Sequence, residues 1–240
     1  MMNCYFIVSA LPTVDWFTGA PLTLSKLLSE FSLELEPFKK NVNTLILRNK
    51  LIDIADNYTK LFDMEDIPEF LTIYFNNNKT PLDRQNNMEA LYVAYYEYLS
   101  QSRCKFIARY GQFECTLRSV LAAIRAKRAG LSLEKHTSTC KELKELILQN
   151  QTLTDFGLKD VFNEIYQVLE AFDKDIWHRE RAIDKIRYDY VSDTYPGNPF
   201  TDDTIYAYIV RLSIVERWQT LNKEQGKQYI HSLINEEKPE

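Results

Sequence analysis

The scarcity of glycine and proline constrains the fold of this chain more than any other feature of its sequence. Only 6 Gly and 8 Pro occur in 240 residues. Tight turns and hairpins depend on these two residue types, so there are few places where the backbone can reverse sharply. A sheet of short strands needs many such places. The sequence therefore predicts an all-α protein that is elongated and built from long helices.

The longest uninterrupted segment spans residues 88–129. It contains no proline and is rich in helix formers. It predicts one helix, or a pair broken near Gly111, with a length of about 60 Å at roughly 1.5 Å per residue. Gly130 predicts the end of this helix. Within it, Glu114 and Arg118 are four residues apart and are expected to pair.

Shorter elements precede the long segment. Residues 5–11 are apolar, β-branched and aromatic, which predicts a strand or another short extended segment. Thr23 is placed to cap a helix, and a second helix is expected after Pro37.

A polar stretch divides these elements from the rest of the chain. Residues 76–87 have almost no apolar side chains, which predicts an exposed loop. We therefore expect an N-terminal helical part over residues 1–80 and a long-helix part over residues 81–240. One continuous domain is the alternative.

The C-terminal half predicts further helices. One is expected over residues 138–150, and another from about residue 158 that bends into residues 175–191. The sequence YPGNP at residues 195–199 then breaks the chain. Asp202 or Asp203 is expected to cap a last helix.

Charge and cysteine content limit the class of protein. The net charge is −5 and the pI is about 5.4, which disfavours binding to nucleic acid or to anionic lipid, because both need a basic surface. The four cysteines form no CxxC pair, as expected of thiols in a reducing cytoplasm. The apolar stretch near the N-terminus is too short to span a bilayer. We expect a cytoplasmic protein with no direct membrane insertion.

Motifs of known chemistry are missing from the sequence. The six glycines are isolated, so no P-loop or Rossmann loop is expected. The three histidines are more than forty residues from one another, and neither a Glu-x-x-His motif nor a G-x-S-x-G motif occurs. We therefore expect no catalytic residue, no metal site and no cofactor.

The segment DIWHRERAIDKIRYDYV is the exception to this lack of signals. Glu180 and Asp184 are both acidic and four residues apart, so they disfavour each other on a helix unless a cation lies between them. Arg187 is one candidate for that cation. Arg118 or Arg125 from the preceding long helix is another.

Three interpretations of this segment remain open. It can be a solvated helix face with weak ion pairs, or a partly buried ion-pair network that sets the register of two long helices. Its aromatic neighbours favour the network. The third interpretation is an acid–base centre of an enzyme, using Glu180, Asp184 and the nearby His178.

Four stretches of the chain resemble a known family. They are NCYFIVSALPTVDW, NTLILRNKLIDI, WHRERAIDKIRYDYV and IYAYIVRLSIVERWQTLNKEQGKQYIHSLI. The most specific parts are RERAID-x-x-R-Y-x-Y and AY-x-x-x-L-x-I-x-ERW. Together they resemble the short subunit-C-like proteins encoded beside bacterial V-type ATPases. The resemblance covers nearly the whole chain in scattered patches.

The resemblance implies a helical subunit of a V/A-type rotary ATPase, known in vacuolar enzymes as subunit d. Such a subunit joins the central stalk to the membrane ring and transmits torque during proton or sodium transport, without being an enzyme itself. Its expected partners are those other ATPase subunits, and its expected location is the cytoplasmic face of the inner membrane.

The family's charged residues can be placed on this sequence one by one. The positions that match are Arg179, Glu180, Arg181, Asp184, Arg187 and Tyr190, with Glu216, Arg217 and Trp218 in the last helix. We expect these residues to form interhelical structure. Two alternatives remain: an adaptor or assembly factor that contacts the ATPase transiently, and a helical enzyme that uses the Glu180 and Asp184 region.

Overall fold

The chain folds into helices joined by short connections. The computed structural model describes residues 5–64, 66–136, 141–198 and 200–221. The α-helices are α1 (Tyr5–Ala10), α2 (Leu24–Glu30), α3 (Ser32–Leu35), α4 (Lys39–Ile46), α5 (Leu51–Asp56), α6 (Glu69–Asn77), α7 (Pro81–Asn86), α8 (Met88–Ser100), α9 (Lys105–Arg128), α10 (Leu133–His136), α11 (Lys141–Gln149), α12 (Ile165–Ala171), α13 (Ile176–Thr194) and α14 (Asp202–Thr220). Short 3₁₀ turns occur at Glu36–Phe38, Leu47–Lys50 and Tyr58–Asp63.

The all-α prediction is confirmed. The described part of the chain has no β-sheet, and its only β-type pairing is an isolated bridge between Asp15 and Gly19. Among the described residues, no helix combines the length and the apolar character needed to cross a membrane.

The long proline-free segment forms a helical hairpin, and the predicted break near Gly111 is wrong. The chain turns at residues 101–104, where Ser102 Oγ accepts a hydrogen bond from the backbone N–H of Cys104. A β-carbon on Gly111 would lie 2.5 Å from the backbone nitrogen of Ser100 and 2.7 Å from Cβ of Leu99. The glycine therefore lets α8 fold back closely against α9 instead of ending a helix.

Three long helices meet in the middle of the molecule. Helix α9 packs against α8, α12 and α14, while α13 packs against α12 and α14. Helix α14 also contacts α2 and α4 from the N-terminal part. Buried apolar side chains on both sides of the predicted boundary at residues 80 and 81 belong to one cluster. That boundary stays a prediction.

The prediction of an extended segment at the N-terminus is wrong. Residues Tyr5–Ala10 form α1, and only Ile7 of this helix is buried. Apolar runs this short do not distinguish a strand from a helix by periodicity. The prediction of a capped helix nearby is confirmed, because Thr23 accepts a hydrogen bond from the backbone N–H of Lys26.

The predicted exposed loop over residues 76–87 is also wrong. Half of it forms α7, and its first two residues end α6. Helix α7 begins with Thr80 and Asp83 bonded to each other's backbone N–H groups. Arg84 on this helix is buried, and its Nε donates to the carbonyl of Ala55 at 2.7 Å. The polar residues of this stretch therefore cap a helix and supply a buried arginine that bonds backbone carbonyls.

Of the remaining helix predictions, the end at Gly130 and the helix over residues 138–150 are confirmed, and the helix from residue 158 into residues 175–191 and the aspartate cap are wrong. Gly130, with φ of +66°, ends α9 as expected. The helix expected over residues 138–150 occurs as Lys141–Gln149, and residues 138–140 lie outside the described residues. Turns occupy most of residues 158–164 before α12, and α13 begins at its own cap, Asp175. The prediction that Asp202 or Asp203 caps the last helix is wrong, because Thr201 occupies the N-cap position of α14, without a side-chain capping hydrogen bond, and both aspartates lie in the first turn.

Candidate functional site: the charged face of α13

The inner face of α13 holds a buried chain of charges. Arg187 donates from Nε to Oε1 of Glu114 at 2.8 Å and from a terminal nitrogen to Oδ1 of Asp184 at 2.9 Å. Glu114 belongs to α9, so Arg187 joins two helices. Tyr110 adds a hydrogen bond from its hydroxyl to the same oxygen of Glu114 at 2.9 Å. The side chains of Arg187, Glu114 and Asp184 are exposed by 6%, 0% and 2%.

The second carboxylate oxygen of Asp184 extends the network to α14. Oδ2 accepts hydrogen bonds from a terminal nitrogen of Arg217 at 2.8 Å and from Nε1 of Trp218 at 2.9 Å. Both oxygens of Asp184 are therefore occupied, and together they receive two guanidinium groups and an indole. This carboxylate links α13 to α14 directly, and through Arg187 to α9.

The electrostatics keep both buried acids ionised. Burial acts to raise the pKa of Asp184, but Arg187, Arg48 and Arg217 outweigh it and hold that pKa below its usual value. For Glu114, burial likewise acts to raise the pKa, and Arg187 and Arg48 again lower it overall. A carboxylate held in this way is a poor donor or acceptor of protons near neutral pH.

Sequence reasoning paired Glu114 with Arg118, which is wrong. Arg118 donates from one terminal nitrogen to both oxygens of Glu89 on α8, each at 3.0 Å. Its guanidinium lies over the rings of Tyr92 and Tyr96, at 4.4 and 5.1 Å from their centroids. Glu114 instead turns towards α13.

Several other predicted members of the network lie outside it. Arg125 and Glu180 approach each other only to 3.8 Å, with side chains exposed by 55% and 40%. Arg179 lies over the ring of Phe172 at 4.8 Å and bonds backbone carbonyls in the turn before α13. Neither Glu180 nor Arg179 contacts Asp184 in a hydrogen bond.

The last three predicted residues have separate roles. Arg181 is exposed and lies 5.7 Å from the ring of Trp16. Tyr190 stacks on Phe113 with the ring centroids 3.8 Å apart. Glu216 accepts the backbone N–H of Leu24 at 3.0 Å and so ties α14 to the beginning of α2.

Sequence reasoning missed Tyr110, Arg48 and the true partner of Glu114. A usable signal was present for Glu114, because Tyr110 and Leu117 lie one turn away on either side and an acid on such a face is expected to be buried. Arg48 lies in NTLILRNKLIDI, one of the stretches that resemble a known family, but its place beside the network was missed because its neighbours come from other helices.

A cleft of about 1130 Å³ opens beside the network. Five arginines and three glutamates line it, together with apolar side chains such as Ile52, Met88 and Leu121. Within the described residues, no three His, Cys, Asp or Glu side chains are grouped closely enough to hold a metal ion. Cys4, Cys140 and His231 lie outside the described part of the chain.

Comparison with known proteins places this chain in a family. A family model described as "Protein of unknown function (DUF2764)" matches residues 38–240. No curated protein and no solved structure matches the chain. The matched range includes Glu114, Asp184, Arg187, Arg217 and Trp218, so the whole buried network lies within it. The chain belongs to the DUF2764 family.

Proposed function

We propose that this protein is a non-catalytic, subunit-C-like component of a bacterial V/A-type rotary ATPase. It links the rotor shaft to the membrane ring and transmits torque while the enzyme moves protons or sodium ions. It acts from the cytoplasmic face of the inner membrane as a peripheral subunit, with the central stalk and the ring as its partners.

One observation carries the proposal. The two motifs that resemble subunit-C-like proteins, RERAID-x-x-R and ERW, contact each other through side chains. Asp184 of the first motif bonds both Arg217 and Trp218 of the second at 2.8 and 2.9 Å. The motifs are thus two halves of one interhelical junction, which supports a shared fold with that family more strongly than two separate sequence matches would.

The mechanics of the junction suit transmission of torque. Arg187 and Asp184 connect α9, α13 and α14. The contacts of Arg187 are shielded from water, while Arg217 reaches the buried Asp184 from a position that is 41% exposed. Buried polar networks that bond several helices together rigidify a core and favour a single arrangement of its helices. In this network, every carboxylate oxygen of Asp184 and Glu114 except Oε2 of Glu114 accepts a hydrogen bond from the described residues. A force applied at the end of one helix is therefore shared by all three.

The same geometry argues against proton transfer through Asp184. Both oxygens of Asp184 accept hydrogen bonds, from two guanidinium groups and an indole N–H, and the nearby arginines keep the carboxylate ionised. Glu180 lies apart, at the surface, with Arg125 as its closest ion-pair partner. These positions weaken the alternative of an enzyme built on the two acids.

Purification of the ATPase at native expression tests the proposal. We expect a tagged copy of this protein to retain the catalytic subunits and the membrane ring, with one copy of this protein per complex. A tagged Asp184→Ala variant should lose them through disruption of the junction, whereas a tagged Arg181→Ala variant should not. Substoichiometric recovery favours an assembly factor instead. An intact, working rotary enzyme from cells that lack this protein overturns the proposal.

A further inference from the structure

Arg48 points to a use for the cleft beyond the buried network. It lies at the cleft wall, and its Nε donates to the hydroxyl of Tyr96 at 3.0 Å. Among the described residues, its two terminal nitrogens have no hydrogen-bond acceptor and no carboxylate lies within ion-pair distance. Glu114 and Asp184 interact with this guanidinium by longer-range electrostatic attraction, without a hydrogen bond. The hydrogen bond to Tyr96 holds the guanidinium in place, and its two terminal nitrogens remain available to donate to a ligand.

Arg118 offers a second guanidinium in the same cleft. Its plane is supported by the rings of Tyr92 and Tyr96, and one terminal nitrogen holds Glu89. Its Nε is buried and has no hydrogen-bond partner in the described part of the chain. Arg118 and Arg48 thus both rest on Tyr96, one on its ring and the other on its hydroxyl.

The carboxylates of the cleft leave these two arginines only partly compensated. Glu216 is bonded to the backbone of α2, and Glu180 pairs loosely with Arg125. Glu89 is 58% exposed, so water weakens its pairing with Arg118. The two buried acids next to the cleft, Glu114 and Asp184, are already bonded to Arg187 and Arg217, so neither of them pairs directly with Arg48 or Arg118.

The rest of the wall suits an organic ligand. Ile52, Met88 and Leu121 supply apolar surface beside the two arginines. A volume of about 1130 Å³ is slightly above the usual range of small-molecule clefts, which is roughly 300 to 1000 Å³, so the cleft has room for a small organic ligand. Guanidinium groups bind phosphate through paired hydrogen bonds, and this geometry is specific for planar or tetrahedral oxyanions.

We propose that this cleft binds a phosphate-bearing small molecule, with the phosphate held by Arg48 and Arg118 and the organic part lying on the apolar wall. The site needs no glycine-rich loop, because side-chain guanidinium groups replace backbone N–H groups as donors. The inference rests on the cleft alone and holds whether or not the protein works in a rotary ATPase.

Calorimetric titration with phenyl phosphate and with inorganic phosphate tests the site. We expect saturable binding of both, with phenyl phosphate the tighter because its ring covers apolar wall. Benzoate and sulfate at matched ionic strength distinguish a phosphate site from a general anion site, and binding of all four with equal affinity overturns the proposal. No saturable heat with either phosphate also overturns it.

Two arginine variants connect that binding to the cleft. Arg48→Gln should weaken phenyl phosphate binding about tenfold or more, since a charge-assisted hydrogen bond is lost. Arg103→Gln removes the same charge from an exposed position outside the cleft and should leave the affinity unchanged. Equal losses in the two variants contradict the inference. If Arg48→Gln does not fold, Arg48→Lys retains the charge without the paired donors, and unchanged affinity in that variant rejects the site.

Discussion

Two faces of the same helix, α13, use their charges in different ways. On the inner face, Asp184 and Arg187 are 2.9 Å apart and exposed by 2% and 6%. On the outer face, Lys185 and Asp189 are even closer, at 2.6 Å, but their side chains are exposed by 34% and 41%. The pair with the shorter distance, Lys185 and Asp189, is thus the pair that we expect to contribute less to stability. Burial decides, because water can replace the partner of an exposed charge but not that of a buried one.

The comparison also explains why the inner face tolerates so many charges. Each buried carboxylate there accepts more than one donor, and the donors come from different helices. Opposite charges offset the cost of burial only when the remaining hydrogen-bonding capacity is also used. One exception is Oε2 of Glu114, which is buried without a partner. A buried water molecule is the usual way to satisfy such an atom.

Removing the central acid should have the largest effect. Asp184→Ala is expected to lower the free energy of unfolding by about 3 to 5 kcal/mol, because Arg187, Arg217 and Trp218 lose their acceptor. Urea unfolding followed by circular dichroism measures this loss. Asp193→Ala is the matched control, since Asp193 is exposed on the same helix. A loss below about 1 kcal/mol for Asp184→Ala would mean that the inner face behaves like the outer one.

Acid should have the next largest effect. The pKa values of Asp184 and Glu114 lie below their ordinary values of 3.8 and 4.5, because the nearby arginines outweigh burial. Their stabilisation is therefore complete above those ordinary values, and it is lost as the pH falls below them towards the lower folded values. The loss should be smaller than that of Asp184→Ala, because protonation leaves the side chains in place.

Unfolding curves between pH 6 and pH 2.5, a range chosen around the usual carboxyl pKa of about 4, measure this dependence. The Asp184→Asn variant should show a shallower loss of stability with acid than the wild-type protein. Identical pH profiles for the two proteins would show that Asp184 is not held ionised by the network.

Replacing the central arginine by lysine should have a smaller effect. Arg187→Lys retains the charge but has one ammonium group where the guanidinium bonds Glu114 and Asp184 separately. One carboxylate loses a charged donor, at a cost of roughly 1.5 to 3 kcal/mol. Arg181→Lys, at the exposed position over Trp16, is the control for the same change on the outer face. Equal stability of the two variants would remove the distinction between the faces.

The outer pair should give the smallest effect. Lys185→Ala is expected to change the free energy of unfolding by roughly 0.5 kcal/mol or less, as is usual for exposed pairs one helical turn apart. Salt at about 1 M should abolish even this difference, because the screening length falls to roughly 3 Å. A loss comparable to that of Arg187→Lys would show that proximity alone stabilises the helix.

Local sequence signals predicted local structure well. Thr23 and Gly130 mark helix boundaries as expected, because capping and positive φ depend on the residue itself and its immediate neighbours. The all-α class follows from the same kind of signal, summed over the chain. The charged segment was correctly expected to be helical.

Signals that depend on other helices were misinterpreted. Gly111 was taken as a helix breaker, yet it lies within α9 where α8 approaches its backbone. Arg84 was placed in an exposed loop, yet it is buried against the carbonyl of Ala55. In both cases the deciding neighbour is distant enough in the chain that no helical period reveals it.

The sequence by itself determined that the chain is helical, where several helices begin and end, and that one helix carries an unusual density of charge. These properties depend on backbone freedom and on contacts within one turn. Only the tertiary structure decided which charges are buried together. Glu114 meets Arg187 across 73 residues, and Asp184 meets Arg217 across 33. Packing of α9, α13 and α14 buries both carboxylates, and a buried ionised group needs a partner of opposite charge to stay ionised.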